Sequence, residues 1–382
     1  MLTESHWPRL FAKLFGVGAA AIVALAFGNF ESRRSEALTR LEADHATTVA
    51  TQAAFFLDVL HRLDADLQIL SRQTELQIPE PVALHRLARE YGDFVRATHN
   101  YQSIRLIDSL GVELMRAATD EFGGIHERIG IAPALPEDAG IVAALAQLAP
   151  EAKLLTSQAD PASIVPRPLW RLAIGTPDTD PHRRAVVALY RADTLFDRLA
   201  RIGGNADTTL MLVSRTGVWS TVGRGLPRVW RYEPAGDAPP EPVRAYPAAW
   251  QTVTAEFGGT VQIANGFFVF RTISPVVIGF WGLDRNGDIL PEASDWRIVA
   301  FVSPEAVARI EEGLLSSLVP TTIAALLAFG LISWFAAMRW QSHAHRHARL
   351  VQQATIDALT GALTRAALEQ GFRAALTRHA PT

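Results

Sequence analysis

An uncharged apolar run at residues 313–338 limits the possible folds more than any other feature of the sequence. Glu311 and Glu312 precede it, and Arg339 follows it. A bilayer core about 30 Å thick takes roughly 20 helical residues at about 1.5 Å each, so the run is long enough to cross a membrane. Trp334 lies near its far end, where aromatic side chains prefer the membrane interface. The sequence therefore predicts a transmembrane helix over residues 313–338.

The charges around this run predict its direction. The residues just before it are acidic, whereas Arg339, Arg346 and Arg349 follow it. Because cytoplasmic flanks of membrane helices carry an excess of basic residues, we expect the C-terminal end of the run to face the cytoplasm. The chain before the run is then expected outside the inner membrane, in a bacterial periplasm.

A second uncharged run, at residues 14–30, follows Arg9 and Lys13 and is near the lower length limit for a membrane span. One interpretation is an uncleaved anchor, with residues 1–13 as a cytoplasmic tail. The other is a signal peptide cleaved at Ala24-Leu25-Ala26. The anchor is favoured because the helical pattern continues past the run without a break. Both interpretations export residues 31–312.

The composition excludes several kinds of site and partner. The chain has 382 residues and no cysteine, so disulfides, thiolate metal sites and cysteine nucleophiles are excluded. An exported domain without disulfides must rely on its hydrophobic core. The net charge of -3 indicates no nucleic-acid partner.

Residues 31–73 contain neither proline nor glycine, which predicts a long helix at the start of the exported part, extending to about residue 75. Seven of its apolar residues alternate spacings of four and three, which is a heptad seam: Val49, Ala53, Phe56, Leu60, Leu63, Leu67 and Leu70. The favoured interpretation is one face packed on its own domain. Pairing with a second subunit is the other, and a helix can do both.

The rest of the exported part predicts an α+β fold in which a unit of sheet and helix occurs twice, at residues 76–203 and 204–303. Tight turns at Ser109-Leu110-Gly111, Arg215-Thr216-Gly217 and Asn265-Gly266 join strand pairs, the last as a type I′ turn. The predicted strands cover residues 101–108, 112–117, 166–175, 184–191, 208–214, 218–222, 260–264, 267–273 and 296–302. The predicted helices cover residues 84–97, 193–202, 248–256 and 304–312.

The segment YQSIRLIDSLGVELMRA, at residues 101–117, resembles the central hairpin of the double Cache (tandem PAS-like) sensor domains of bacterial receptors. FGGTVQIANGFFVFRTI and WRIVAFVSPEAV resemble the second module and the exit strand of those domains. The resemblance covers roughly residues 31–312. It implies that the membrane-distal module, residues 76–203, holds a small ligand between its sheet and the covering loops.

Six residues are candidates to line that ligand site, because arginine forks onto carboxylates and aromatic rings wall pockets. They are Tyr101, Arg105, Arg116, Trp170, Arg171 and Tyr190. The alternative is that Trp170 and Tyr190 belong to the core and the arginines are solvated. No metal site is predicted. Residues 284–288 have the composition of a calcium loop without its glycine position, so Asn286-Gly287 is interpreted as a turn. His343 and His347 are interpreted as part of a solvated helix face.

After the second membrane run, a short polar helix at residues 339–356 leads to DALTGALTR, residues 357–365. This stretch resembles the D-x-L-T-G-x-x-N-R opening of GGDEF domains, the diguanylate cyclases. The matching residues are Asp357, Leu359, Thr360, Gly361 and Arg365. The chain departs from the motif at Ala362 and Thr364. Residues 357–382 are therefore expected to begin a GGDEF domain.

The resemblance implies an output that joins two GTP molecules into cyclic di-GMP, with Mg²⁺, in a homodimer. The catalytic residues of the family would lie beyond Thr382, so none is assigned in this chain, and the chain itself has no expected cofactor. Two alternatives remain: a non-enzymatic binding or regulatory receptor, and the input module of a chemoreceptor or histidine kinase. The lack of a HAMP relay segment counts against the latter.

Overall fold

The computed structural model describes residues 7–75, 81–120, 123–148, 152–160, 167–176, 184–202, 208–222, 229–236, 240–283, 288–355, 362–365 and 367–369. The chain divides into two compact units. One comprises Leu38–Arg309, and the other comprises Met1–Ala37 with Ile310–Thr382.

Helix α1, Trp7–Glu75, is a single helix of 69 residues that contains both the first apolar run and the predicted long helix. The seven residues of the heptad seam are each at most 3% exposed and belong to the core of the unit Leu38–Arg309. The favoured interpretation, a helix face packed on its own domain, is therefore confirmed. Because the chain's own core uses the seam, the seam does not support pairing with a second subunit.

The first sheet module follows α1, and most of its predicted elements are found. Its elements are α2 (Pro81–Thr98), β1 (Tyr101–Ile107), β2 (Val112–Thr119), β3 (Ile125–Pro133), α3 (Pro136–Leu145), β4 (Lys153–Ala159), β5 (Pro168–Gly175), β6 (Ala185–Arg191) and α4 (Asp193–Ile202). The sequence pattern did not predict β3, α3 or β4. Strand β3 is largely exposed, so it lacks the apolar alternation by which a half-buried strand is recognised.

The second module ends in the long helix α7. Its elements are β7 (Thr208–Ser214), β8 (Gly217–Val222), β9 (Val229–Pro234), α5 (Glu241–Ala245), α6 (Pro247–Ala255), β10 (Gly258–Ile263), β11 (Gly266–Ile273), β12 (Phe280–Leu283), β13 (Ile289–Leu290), β14 (Trp296–Val302) and α7 (Pro304–Thr355). The predicted elements at 304–312, 313–338 and 339–356 thus join into one helix through Thr355, with Pro320 inside it.

The predicted type I′ turn at Asn265-Gly266 is wrong. Gly266 already belongs to β11 and pairs with Ile263, so Ala264-Asn265 forms the turn. Neither turn residue has the positive φ that type I′ requires. Gly266 serves a different purpose, because a Cβ there would lie 2.5 Å from the carbonyl oxygen of Val302.

The strands form two sheets, but the division between them does not follow the chain. The eight-stranded sheet has the order β13-β12-β4-β5-β6-β1-β2-β3, and the six-stranded sheet has the order β10-β11-β14-β7-β8-β9. Strands β12 and β13 lie within residues 204–303, yet they extend the sheet of the first module. Strand β12 pairs in parallel with β4, where Phe280 lies opposite Lys153.

A cluster of aromatic side chains joins the two sheets to α1. Phe56 of α1 has its ring centroid 5.3 Å from that of Trp170 and 5.6 Å from that of Trp296. Trp170 belongs to the eight-stranded sheet and Trp296 to the six-stranded sheet, and their centroids are 5.5 Å apart. All three side chains are buried. The unit Leu38–Arg309 therefore has a continuous core across both modules.

In the other unit, α1 and α7 each contain a stretch long and apolar enough to cross a membrane, which indicates a membrane protein. The two helices approach closely at Gly18, where a Cβ would lie 2.1 Å from the ring of Phe329. Near the end of the apolar stretches, Arg34 Nε donates a hydrogen bond of 2.6 Å to Glu311 Oε1. The two helices are thus linked both through apolar contacts and through an ion pair.

Candidate functional site

The six predicted ligand residues lie on opposite faces of the eight-stranded sheet. Successive side chains of a strand point to opposite faces, and a register shift between Tyr101 and Ser103 places Tyr101 on the α1 side. The three aromatic residues, Tyr101, Trp170 and Tyr190, face α1. The three arginines, Arg105, Arg116 and Arg171, face α3. The structure does not bring the six into one pocket.

On the α3 face, two of the arginines converge on one carboxylate. Asp138 lies in α3 and is 1% exposed. Its Oδ2 accepts a hydrogen bond from Arg105 Nη1, and its Oδ1 lies 2.8 Å from Arg171 Nε. Arg171 Nη1 also donates to Gln158 Oε1 at 3.2 Å. Both guanidinium groups are therefore held by the sheet and by the helix that covers it.

The third arginine joins this network through a second carboxylate. Glu113 Oε2 lies 3.7 Å from Arg105 Nε and 3.6 Å from Arg116 Nε. Arg105 and Arg116 are direct cross-strand neighbours on β1 and β2. Burial lowers the pKa of Arg116, and the nearby charge of Arg105 lowers it further. Three arginines face two carboxylates in this network, so its formal charge is +1 when all five groups are ionised.

This arrangement can bind a carboxylate, and the chain already supplies one. Arginine pairs suit carboxylates because their planar donors match both oxygens. Removing charges from water is costly, so a buried guanidinium needs a close anion. In the structure, Asp138 provides that anion to Arg105 and Arg171. A small carboxylate would have to take the place of Asp138 or add its charge beside Arg116, whose side chain is 29% exposed.

On the α1 face, Tyr101 and Tyr190 line a cavity of about 320 Å³, which lies at the lower end of ligand-pocket sizes. Tyr101 donates a hydrogen bond of 2.7 Å to Asp66 Oδ2. Burial raises the pKa of Asp66, while this hydrogen bond lowers it, and burial raises the pKa of Tyr190 to about 12. Trp170 is fully buried and packs in the aromatic cluster of the core.

The sequence analysis missed the acidic partners of the predicted residues, namely Glu113, Asp138 and Asp66. Of these three acids, only Asp138 could have been predicted from the sequence. It lies just before a short apolar stretch in α3, whose Ile141 and Val142 are buried against the sheet. An acid beside a stretch that must be buried needs a basic partner. The arginines of the neighbouring strands were the available candidates.

Of the GGDEF-like motif, Asp357, Leu359, Thr360 and Gly361 lie outside the described residues. Arg365 is described, and its Nε lies 3.5 Å from Glu369 Oε1 on an exposed surface. Within the described part of the chain, no three His, Cys, Asp or Glu side chains are close enough to hold a metal ion. Residues 284–287, which include the predicted turn at Asn286-Gly287, also lie outside that part.

Comparisons with known proteins identify the fold. No family model and no curated protein matches the chain. A domain of a protein assigned to the sensory box/GGDEF family of Vibrio parahaemolyticus matches with a TM-score of 0.50 at 15% identity, covering 71% of this chain and 98% of that domain.

A second solved structure is equally similar. The extracellular domain of a protein described as the histidine kinase vpHK1S-Z8 matches with a TM-score of 0.50 at 16% identity, covering 74% of this chain and 98% of that domain. At these identities the likeness shows the fold alone. The chain has the α+β fold of Cache-type (tandem PAS-like) sensor domains, with a long N-terminal helix and two sheets.

Proposed function

We propose that the chain is the sensory part of a transmembrane receptor of the bacterial inner membrane. In this proposal, residues 31–312 detect a small ligand in the periplasm, and both termini lie in the cytoplasm. One observation carries it: a sensor fold is connected at both ends to helices long enough and apolar enough to cross a membrane. The basic residues after residue 338 support the cytoplasmic position of the C-terminal end.

Reporter fusions test this topology. Alkaline phosphatase, which is active only after export, is inserted at the exposed Leu110 in the turn between β1 and β2. A fluorescent protein that folds only in the cytoplasm is fused after Thr355. We expect activity from both. An inactive phosphatase at Leu110 would contradict the topology. An N-terminal tag that remains on the mature protein would establish the anchor over the cleaved signal peptide.

We further propose that the receptor controls a cytoplasmic diguanylate cyclase, which would bind GTP and Mg²⁺ and act as a homodimer. The fold does not discriminate here, since the two similar domains come from a GGDEF-family protein and a histidine kinase. The motif at residues 357–365 favours the cyclase. Expressing the complete gene product should raise cellular cyclic di-GMP, and a version truncated after Thr355 should not. Equal cyclic di-GMP in both strains would favour a non-enzymatic receptor.

For the ligand, we propose a small carboxylate bound at the arginine network of the distal module. The support is the net positive charge of the network and the partial exposure of Arg116. A thermal-shift screen of small carboxylates and amines on the full chain in lipid nanodiscs should find a stabilising carboxylate. Arg105→Ala should abolish that shift. Arg96→Ala, in an exposed ion pair with Asp93, is the matched control. A carboxylate hit that keeps its full effect on Arg105→Ala would remove Arg105 from the site.

A further inference from the structure

The second module contains a cavity that the proposed sensor function does not use. Its volume is about 380 Å³, within the range of small-molecule sites. Its wall combines strands β7 to β9 and β14 with α5 and the start of α7. It lies on the six-stranded sheet, whereas the arginine network lies on the eight-stranded sheet. The two sites therefore share no residue.

The charged residues that line this cavity carry a net negative charge. Three are carboxylates and one is an arginine: Glu233, Glu241, Glu305 and Arg231. Their formal sum is -2 when all are ionised. Glu233 Oε2 is shielded from solvent and accepts no hydrogen bond from any residue in the described part of the chain. Burial raises the pKa of Glu233, and the charges of Arg231 and Arg244 only partly oppose this effect. A cation bound in the cavity would balance the negative charge of the Glu233 carboxylate, which the nearby arginines balance only in part.

Ser220 provides an independent indication of a ligand. Its side chain lines the cavity and is 6% exposed, yet its hydroxyl makes no hydrogen bond within the residues that the structure describes. Because the residue lines the cavity, its hydroxyl is available to bond a molecule bound there. Tyr246 and Phe301 add aromatic rings to the same wall, with centroids 6.0 Å apart. Aromatic faces attract cations.

We propose that this cavity binds a small organic ammonium ion, with Glu233 as counter-ion, Ser220 as hydrogen-bond acceptor and Tyr246 as the aromatic wall. An ammonium ion fits better than a metal ion. No described group of three or more metal-ligating side chains is present, and an N–H donor needs only one carboxylate and one hydroxyl oxygen.

The position of the cavity connects it to the helix that leaves the module. Ser303, Pro304 and Glu305 belong to its lining. The carbonyl oxygen of Ser303 accepts hydrogen bonds from the amides of Ala306 at 3.0 Å and Val307 at 3.2 Å, which begins helix α7. A bound ammonium ion would therefore contact the first turn of α7, and its occupancy would stabilise one arrangement of that turn.

Thermal shift of the full chain in lipid nanodiscs tests this site with 1,4-diaminobutane and 2-aminoethanol as probes, and with succinate as a probe of opposite charge. We expect at least one amine to raise the melting temperature in a saturable way. Glu233→Gln should weaken its binding at least tenfold, and Ser220→Ala should weaken it severalfold. Glu256→Gln, at an exposed position of the same module, is the matched control and should bind normally.

Arg105→Ala separates this site from the arginine network of the distal module, and it should leave amine binding unchanged. Loss of amine binding in an Arg105→Ala protein that still melts cooperatively, or full binding in Glu233→Gln, would overturn the assignment. So would a response to Ca²⁺ but to neither amine. If Glu233→Gln is too unstable to measure, the milder Ser220→Ala decides: unchanged affinity contradicts the proposal.

Discussion

Asp138 is the carboxylate shared by two buried arginines, because its two oxygens contact Arg105 and Arg171 separately. Removing one partner of a buried ion pair leaves an uncompensated charge, at a cost of about 3–5 kcal/mol. We expect Asp138→Asn to lower the free energy of unfolding by that amount in urea titrations. Asp93→Asn breaks an exposed Asp–Arg pair on α2 and should cost at most about 1 kcal/mol.

Equal losses in these two variants would mean that the buried network contributes little. A double variant, Arg105→Met with Asp138→Leu, tests the same point from the other side. It removes both charges of the Arg105–Asp138 pair, whereas Asp138→Asn leaves the Arg105 charge buried without that partner. The double variant should therefore be more stable than Asp138→Asn alone.

His45 predicts a pH dependence of stability. It is 5% exposed and its Nε2 lies 3.3 Å from Thr208 Oγ1. Burial lowers the pKa of His45 below its ordinary value of 6.5, so the folded state favours the neutral ring. Below about pH 6.5 the unfolded chain therefore binds a proton that the folded chain does not, and stability falls as the pH decreases.

Denaturation curves between pH 7.5 and pH 5 measure this effect. His45→Asn should lose less stability over that range than the unmodified protein. His61→Asn replaces an exposed histidine on the same helix and should follow the unmodified protein. If His45→Asn and the unmodified protein lose stability in parallel, His45 is not the group responsible.

At the scale of elements, α1 is the common support of both sheets, and Phe56 is its contact with each of them. Truncating a buried phenylalanine removes transfer free energy and leaves a cavity, at about 3–5 kcal/mol. We expect Phe56→Ala to lose that stability and to shift the tryptophan emission, since Trp170 and Trp296 would gain water. Phe257→Ala, at a site 76% exposed, should change stability by no more than about 0.5 kcal/mol.

The elements that the sequence predicts well are those with a regular apolar pattern. Helix α4 and strand β14 have the predicted bounds, because their burial follows one face or one continuous apolar run. Strand β13 has two half-buried residues, and β12 is paired with a strand about 130 residues earlier, so neither has a local signal. Long-range pairing depends on the whole fold, which a local pattern does not contain.

For the candidate site, too, the sequence predicted some features and not others. The sequence identified residue types that the structure places in two groups, with the arginines on one face. It did not predict the register shift after Tyr101, which depends on how β1 pairs with β6. It also did not predict that Asp138 would arrive from a separate helix to meet Arg105. Both facts follow from tertiary packing and have no counterpart in local spacing.

At the scale of the whole molecule, α7 predicts that output depends on helix rotation. The helix continues without a break from Pro304 to Thr355. Each alanine inserted after Gln341 would rotate the following residues by about 100°, since about 3.6 residues make one turn. With residues 1–356 joined to an active cyclase domain, one or two alanines should alter cyclic di-GMP, and seven should nearly restore it. A steady decline with length would contradict the prediction, and a helix-breaking Gly-Gly-Ser insertion is the control.

Strands β12 and β13 have a consequence for how chains with this fold can recombine. Although they follow β11 in the chain, they complete the sheet of the first module beside β4. A hybrid chain that exchanged only the second module would need replacement strands that match β4, because without them β4 would be an unpaired edge prone to aggregation. We therefore expect productive crossovers between related genes to fall outside Leu38–Arg309.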